Sequence, residues 1–183
     1  MPVLFCFLRG INVGGHAKIK MDALRALFVS LKFEEPQTYV QSGNVVFKAS
    51  ERNLELLATR VKQAILKKFA CSPEVMIRTA AEMRAVVANN PFAKRTNIEP
   101  GKLLVFFLAA QPAKNAVENL RQLGIEPEEL HLIGRELFIY FPHGVGKSKL
   151  PWGRVDKALQ TTGTGRNWNS ITKVLEMAER LES

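Results

Sequence analysis

The run Val3–Leu8 is apolar at every position and stops at Arg9-Gly10, the pattern of a strand covered on both faces. Gly10 to Lys20 has no periodicity and carries Gly14 and Gly15, which predicts a loop. From Met21 the period changes. Met21, Leu24, Leu27, Phe28 and Leu31 fall on one helical face, with Asp22 in the first turn where the helix dipole favours an acid. Glu35-Pro36 reads as a turn, followed by strands at Thr38–Val40 and Asn44–Phe47 around a Ser42-Gly43 corner. Leu54, Leu57, Val61, Ala64 and Ile65 mark a second amphipathic helix, and a strand opened by Pro73 runs through Ile77. The order β-α-β-β-α-β is the split βαβ arrangement of ferredoxin-like folds.

The second half echoes the first. Leu103–Leu108 repeats the apolar run, a helix is expected over Pro112–Leu123, and Glu126-Pro127 answers Glu35-Pro36. His131–Ile133 and Glu136–Tyr140 form a strand pair across Gly134-Arg135, and a helix is expected from Lys149 to Leu159. No eighth strand is legible before a last helix with Trp168, Ile171, Val174, Leu175 and Ala178 on one face. A short helix, Ala80–Ala88, and a turn-rich segment join the halves. The expectation is an α+β chain of two ferredoxin-like (βαββαβ) halves from a degenerate duplication. Residues 1–88 would form the first half, 89–101 a linker, and 102–183 an incomplete second half with C-terminal helices.

A content of 46% hydrophobic and 23% charged residues excludes a disordered chain. Lys and Arg number 26 against 17 Asp and Glu, a formal net charge of +9. That field favours a phosphorylated small molecule or nucleic acid as partner, although the charge is spread and clusters only at Lys18/Lys20, Lys67/Lys68 and Lys147/Lys149. Two cysteines, Cys6 and Cys71, fall short of a disulfide framework or a four-ligand zinc site. No stretch approaches a membrane span, and Val3–Leu8 is too short for a signal-peptide core. A cytoplasmic protein with no membrane partner, metal or cofactor is expected.

Several motifs fail on spacing. Gly144-Val145-Gly146-Lys147-Ser148 has Phe141 where a phosphate-binding loop needs its first glycine, and Pro142 removes a donor. It is better read as a basic segment before a helix that attracts anions. Arg9–Gly15 lacks the dinucleotide-binding glycine spacing. Gly43–Phe47 has a lone aromatic where an RNA-recognition sheet stacks several. His16, His131 and His143 show no metal-ligand spacing, and Ser42 is not in a nucleophile elbow.

What remains is a set of polar residues at strand ends and loops: Arg9, Asn12, Gln41, Ser42 and Asn44, with Arg166, Asn167 and Asn169 further on. In a split βαβ fold the end of the first strand lies beside the start of the third, which brings Arg9 and Asn12 towards Gln41 and Asn44. Amides around an arginine suit a small anion or a nucleotide. The competing reading is that they hold tight corners, with Asn167 as N-cap of the last helix and Trp168 packed beneath it.

Leu8–Gly15 (LRGINVGG), Thr38–Phe47 (TYVQSGNVVF) and Arg166–Lys173 (RNWNSITK), with Ser148-Lys149-Leu150 between, carry a resemblance over essentially the whole chain. The chain resembles the bacterial family known as domain of unknown function 1697. That resemblance implies two ferredoxin-like halves and no established activity. Its motif positions map to Arg9, Gly10, Asn12, Gly14, Gly15, Gln41, Ser42, Gly43, Asn44, Arg166, Asn167 and Trp168. Thr164-Gly165 and Ser170 depart from the family's pattern.

The leading expectation is therefore an anion-binding protein with its pocket between the Arg9–Lys20 loop, the Gln41–Asn44 corner and the start of the Arg166 helix. Ligand contacts would come from Arg9, Asn12, Gly14, Gly15, Gln41, Ser42, Asn44, Arg166, Asn167 and Trp168. The alternatives are an enzyme in which Arg9 or Arg166 stabilises developing negative charge, and a protein–protein adaptor.

Overall fold

The computed structural model of the chain describes residues 1–15 and 17–183; His16, with its expected lack of ligand spacing, lies outside them. The first βαββαβ set is β1 (Val3–Leu8), α1 (Met21–Ser30), β2 (Glu34–Tyr39), β3 (Asn44–Lys48), α2 (Leu54–Phe69) and β4 (Val75–Thr79), followed by α3 (Ala80–Ala88). The second is β5 (Leu103–Leu108), α4 (Ala116–Arg121), β6 (Glu129–Ile133), β7 (Glu136–Tyr140), α5 (Trp152–Leu159) and β8 (Gly163–Asn167), followed by α6 (Trp168–Glu182). Each set forms one antiparallel sheet, in the order β2-β3-β1-β4 and β6-β7-β5-β8. The connections are those of the split βαβ motif in both.

The apolar runs Val3–Leu8 and Leu103–Leu108 become the strands paired on both edges of each sheet. Every residue of β1 is buried. Leu4, Cys6 and Leu8 pack with Leu24, Leu27 and Phe28 of α1 and Leu57, Val61 and Ile65 of α2. Phe28, Phe33 and Phe47 close this core, with ring centroids 5.6, 5.1 and 5.0 Å apart. Asn53 starts α2 by accepting the Leu56 N–H at 3.0 Å, and left-handed Ala70 ends it. In the second set Leu108, Leu137 and Ile139 pack with Ala116, Leu120, Val155 and Leu159.

The second half is complete, which corrects the expected loss of its last strand. β8 pairs along β5 from Gly163 opposite Leu108 to Asn167 opposite Leu104. Its sequence, GTGRN, hides it because two glycines replace the apolar positions of a strand, and close packing excludes a side chain at Gly163. A Cβ on Gly163 would stand 2.6 Å from the Phe107 carbonyl oxygen, and one on Gly165 2.8 Å from Leu104. Glu35-Pro36 is likewise no turn. It is a bulge inside the edge strand β2, with Glu35 at φ 48 and the register shifting between Glu34 and Gln37. α4 is shorter than Pro112–Leu123, and α5 starts at Trp152, directly after Pro151, instead of at Lys149.

Contacts divide the chain into Met1–Val87 with Thr172–Ser183, and Ala88–Ile171. The last three turns of α6 thus belong to the first unit. Residues 89–101 are packed onto the second unit's sheet. Phe92 is buried, its ring 5.1 Å from His131 and 5.8 Å from Tyr140. Arg95 donates to Glu129 at 2.6 Å, and the Tyr140 hydroxyl donates to the Asn97 carbonyl at 3.3 Å. No helix among the described residues is long and apolar enough to cross a membrane.

Candidate functional site

In the first unit the loop after β1 and the β2–β3 corner meet. Asn12 Nδ2 donates to the carbonyls of Ile19 (3.0 Å) and Gln41 (2.8 Å), while its Oδ1 accepts the Ile19 N–H at 2.8 Å. One amide therefore closes the 12–19 loop and ties it to the corner. Asn44, buried in β3, donates to the Tyr39 carbonyl at 3.0 Å and to Ser42 Oγ at 2.9 Å. The Arg9 N–H donates to the Glu74 carbonyl at 2.9 Å, extending the β1–β4 pairing. Asn12, Ser42 and Asn44 thus hold corners, as the competing reading expected. Gly14 and Gly15 are exposed turn residues.

Left-handed backbone is concentrated here. Gly10, Gly14, Gly15 and Gly43 have positive φ, as do Asn12, Ala17 and Val40. Val40 is the most unusual, because a β-branched residue at φ 52 is strained. It is also exposed. Gly43 is doubly constrained, since at φ +74 an added Cβ would lie 2.8 Å from both Leu8 Cβ and Ile11 Cδ1.

Beside this corner lies a cleft of about 440 Å³ lined by Lys20, Met21, Asp22, Arg25, Thr38, Val40 and Gln41. Arg25 donates to Asp22 and to Thr38 Oγ1. Among the described residues the side chains of Lys20 and Gln41 have no partner. Lys20 also occupies the N-cap position of α1 without capping it by its side chain, so first-turn amides lack an N-cap oxygen. Sequence reasoning selected Gln41 but passed over Lys20, Arg25 and Thr38. The Lys18/Lys20 cluster and the Asp22–Arg25 spacing were the available signals.

Arg166, Asn167 and Trp168 belong to the second unit. Arg166 is buried, and its Nη1 donates to Thr164 Oγ1 at 2.7 Å and to the Gly165 carbonyl at 2.8 Å. Asn167 accepts the Asn169 N–H at 3.0 Å, the N-cap bond of α6, and donates to the Gly101 carbonyl at 2.8 Å. Trp168 is half-buried at the start of α6. Missed entirely was Arg78, 1% exposed, with Nη1 donating to the Ile77 carbonyl at 3.0 Å. Arg78 stands opposite Phe5 and Arg166 opposite Val105, the same register position in the two sheets.

No three His, Cys, Asp or Glu side chains gather as metal ligands among the described residues. Cys6 is buried, and partial burial pushes the Cys71 thiol above its ordinary pKa.

A solved structure, that of the conserved bacterial protein SP0830 from Streptococcus pneumoniae, shares the fold at 20% identity and a TM-score of 0.74. The alignment covers 97% of this chain and 98% of that one. No curated protein matches. The family described as "Protein of unknown function (DUF1697)" matches residues 1–138, a span that holds the first-unit cleft and stops before Arg166. By that match the chain belongs to the DUF1697 family.

Proposed function

We propose that the protein binds an anionic ligand, a phosphorylated small molecule or a nucleic acid, in the first-unit cleft between α1 and the β2–β3 corner. The observation that carries this reading is the pairing of an open cleft with two polar side chains, Lys20 and Gln41, that have no partner among the described residues, beside the Arg25 guanidinium. The formal net charge of +9 adds a long-range field that draws anions towards any such cleft. The strained, exposed Val40 supports it further, because strain of this kind collects where a surface serves binding instead of stability. In this reading Asn12, Ser42, Gly43 and Asn44 shape the rim, and Arg166, Asn167 and Trp168 organise β8 and α6. Cytoplasmic residence fits a chain with only two cysteines, too few for a disulfide framework.

Binding of single-stranded and duplex nucleic acid, followed by fluorescence anisotropy across a salt series, tests one ligand class. Affinity should fall steeply with salt as counterions are released. Nucleotides and sugar phosphates are tested by thermal shift, where a bound ligand raises Tm by mass action. Lys20→Glu should abolish whichever signal appears. If no probe binds at low salt, or if Lys20→Glu leaves binding intact, the reading fails.

A further inference from the structure

The two units share their strand order and register, so a difference between them stands out. In the first, β3 and α2 are joined by residues 49–53 and α1 and β2 by residues 31–33. In the second, the equivalent joins are residues 141–151 and 122–128, both longer. These two longer loops enclose a cavity of about 290 Å³ that lies wholly within the second unit. Ile125, Pro127, Leu150 and Pro151 give it apolar surface.

Its charges are sorted. His143, Lys147 and Lys149 come from the β7–α5 loop, and Glu126 and Glu128 from the α4–β6 loop. None of these five side chains has a hydrogen bond or ion pair among the described residues. Opposite charges therefore line the two walls of one cavity without closing on each other. Lys147 and Lys149 belong to the glycine-rich string that fails as a phosphate-binding loop, so they lack that explanation.

We infer that this cavity is a second site, separate from the first-unit cleft, and that it takes a small zwitterion. The acid group, a phosphate or carboxylate, would sit against Lys147, Lys149 and His143. The ammonium group would sit against Glu126 and Glu128. Two lysines suit an acid group as point charges, and a carboxylate pair takes all the donors of an ammonium. The volume lies at the lower edge of ligand pockets, which run from about 300 to 1,000 Å³, so the ligand is small.

The test is a titration of the full chain followed by amide chemical shifts in nuclear magnetic resonance. The probes are O-phosphoethanolamine, β-alanine, inorganic phosphate and ethanolamine. One or both zwitterions should shift the amides of 124–128 and 143–149 at concentrations about tenfold or more below those at which either single-charge probe acts, equivalent to about 1.4 kcal/mol of added binding. Glu126→Gln with Glu128→Gln should remove that advantage and leave phosphate binding. Lys147→Ala with Lys149→Ala should remove both; Glu126, Lys147 and Lys149 are exposed and Glu128 is half-buried, none with a side-chain partner among the described residues, so the folded spectrum should persist in both double variants. Phosphate binding as tightly as the zwitterions would make this a plain anion site and overturn the proposal. Shifts confined to the first-unit cleft, or none at millimolar probe, would overturn it too. Neither result bears on Lys20.

Discussion

Asn12 shows how a residue chosen as a ligand contact serves the fold first. Its amide makes three hydrogen bonds from a left-handed backbone. With each bond worth about 1 kcal/mol net, Asn12→Ala should destabilise the protein by about 2–4 kcal/mol once the left-handed alanine is included. Asn12→Gly should cost less, since glycine accepts this φ freely; equal costs in urea unfolding would show that backbone conformation does not matter there. Gly43→Ala combines a positive φ with two contacts at 2.8 Å. It should cost about 2–4 kcal/mol, the sum of strain and overpacking, and a Tm within error of the parent would refute the crowding. Cys71 is the accessible thiol, whereas Cys6 is buried. Iodoacetamide should therefore modify Cys71 alone in the native protein. Its rate should climb with pH to a midpoint above that of a free thiol, because burial disfavours the thiolate. Modification of Cys6 under native conditions would contradict its burial.

At the scale of elements, periodicity identified what was driven by apolar burial and little else. β1, β5, α1 and α2 were legible because their inward positions are apolar in the period of the element. β8 was not, because two of its five positions are glycine, with a side chain at Gly163 blocked by the Phe107 carbonyl oxygen and the Phe106 ring. β2 was half legible, its Glu-Pro pair mimicking a turn where the edge strand bulges. For the site, sequence located the corner through Gln41 but passed over the basic wall, since the Lys18/Lys20 pair and the Asp22–Arg25 spacing look like any solvated loop and helix face until the fold sets them beside Gln41. Residues 89–101 read as a linker by turn content, and their one fully buried aromatic, Phe92, packs against His131 and Tyr140. Phe92→Ala should cost about 3–5 kcal/mol and open 90–97 to protease. Retained resistance at those residues would show that the Arg95–Glu129 and Tyr140–Asn97 contacts suffice.

For the whole molecule, the likeness of the two units extends from the order of elements to the register. Phe5 faces Val46 and Arg78, and Val105 faces Phe138 and Arg166. In both units the last strand passes directly into a helix. Thr79 caps α3, with its Oγ1 accepting the Glu82 N–H at 3.1 Å, where Asn167 caps α6. α6 then contributes Val174, Leu175, Ala178 and Leu181, all buried, to the first unit, where Glu182 also meets Arg84. Deleting Thr172–Ser183 should strip hydrogen-exchange protection from β1 and β4, and unchanged protection there would refute the assignment of that segment to the first unit.

That assignment has a consequence for biosynthesis. The residues that complete the first unit are separated from it by the entire second unit, so a nascent chain emerging from the ribosome holds an unfinished N-terminal half throughout synthesis of the other. The apolar strands of that half must wait, or be shielded by a chaperone, until the final helix arrives.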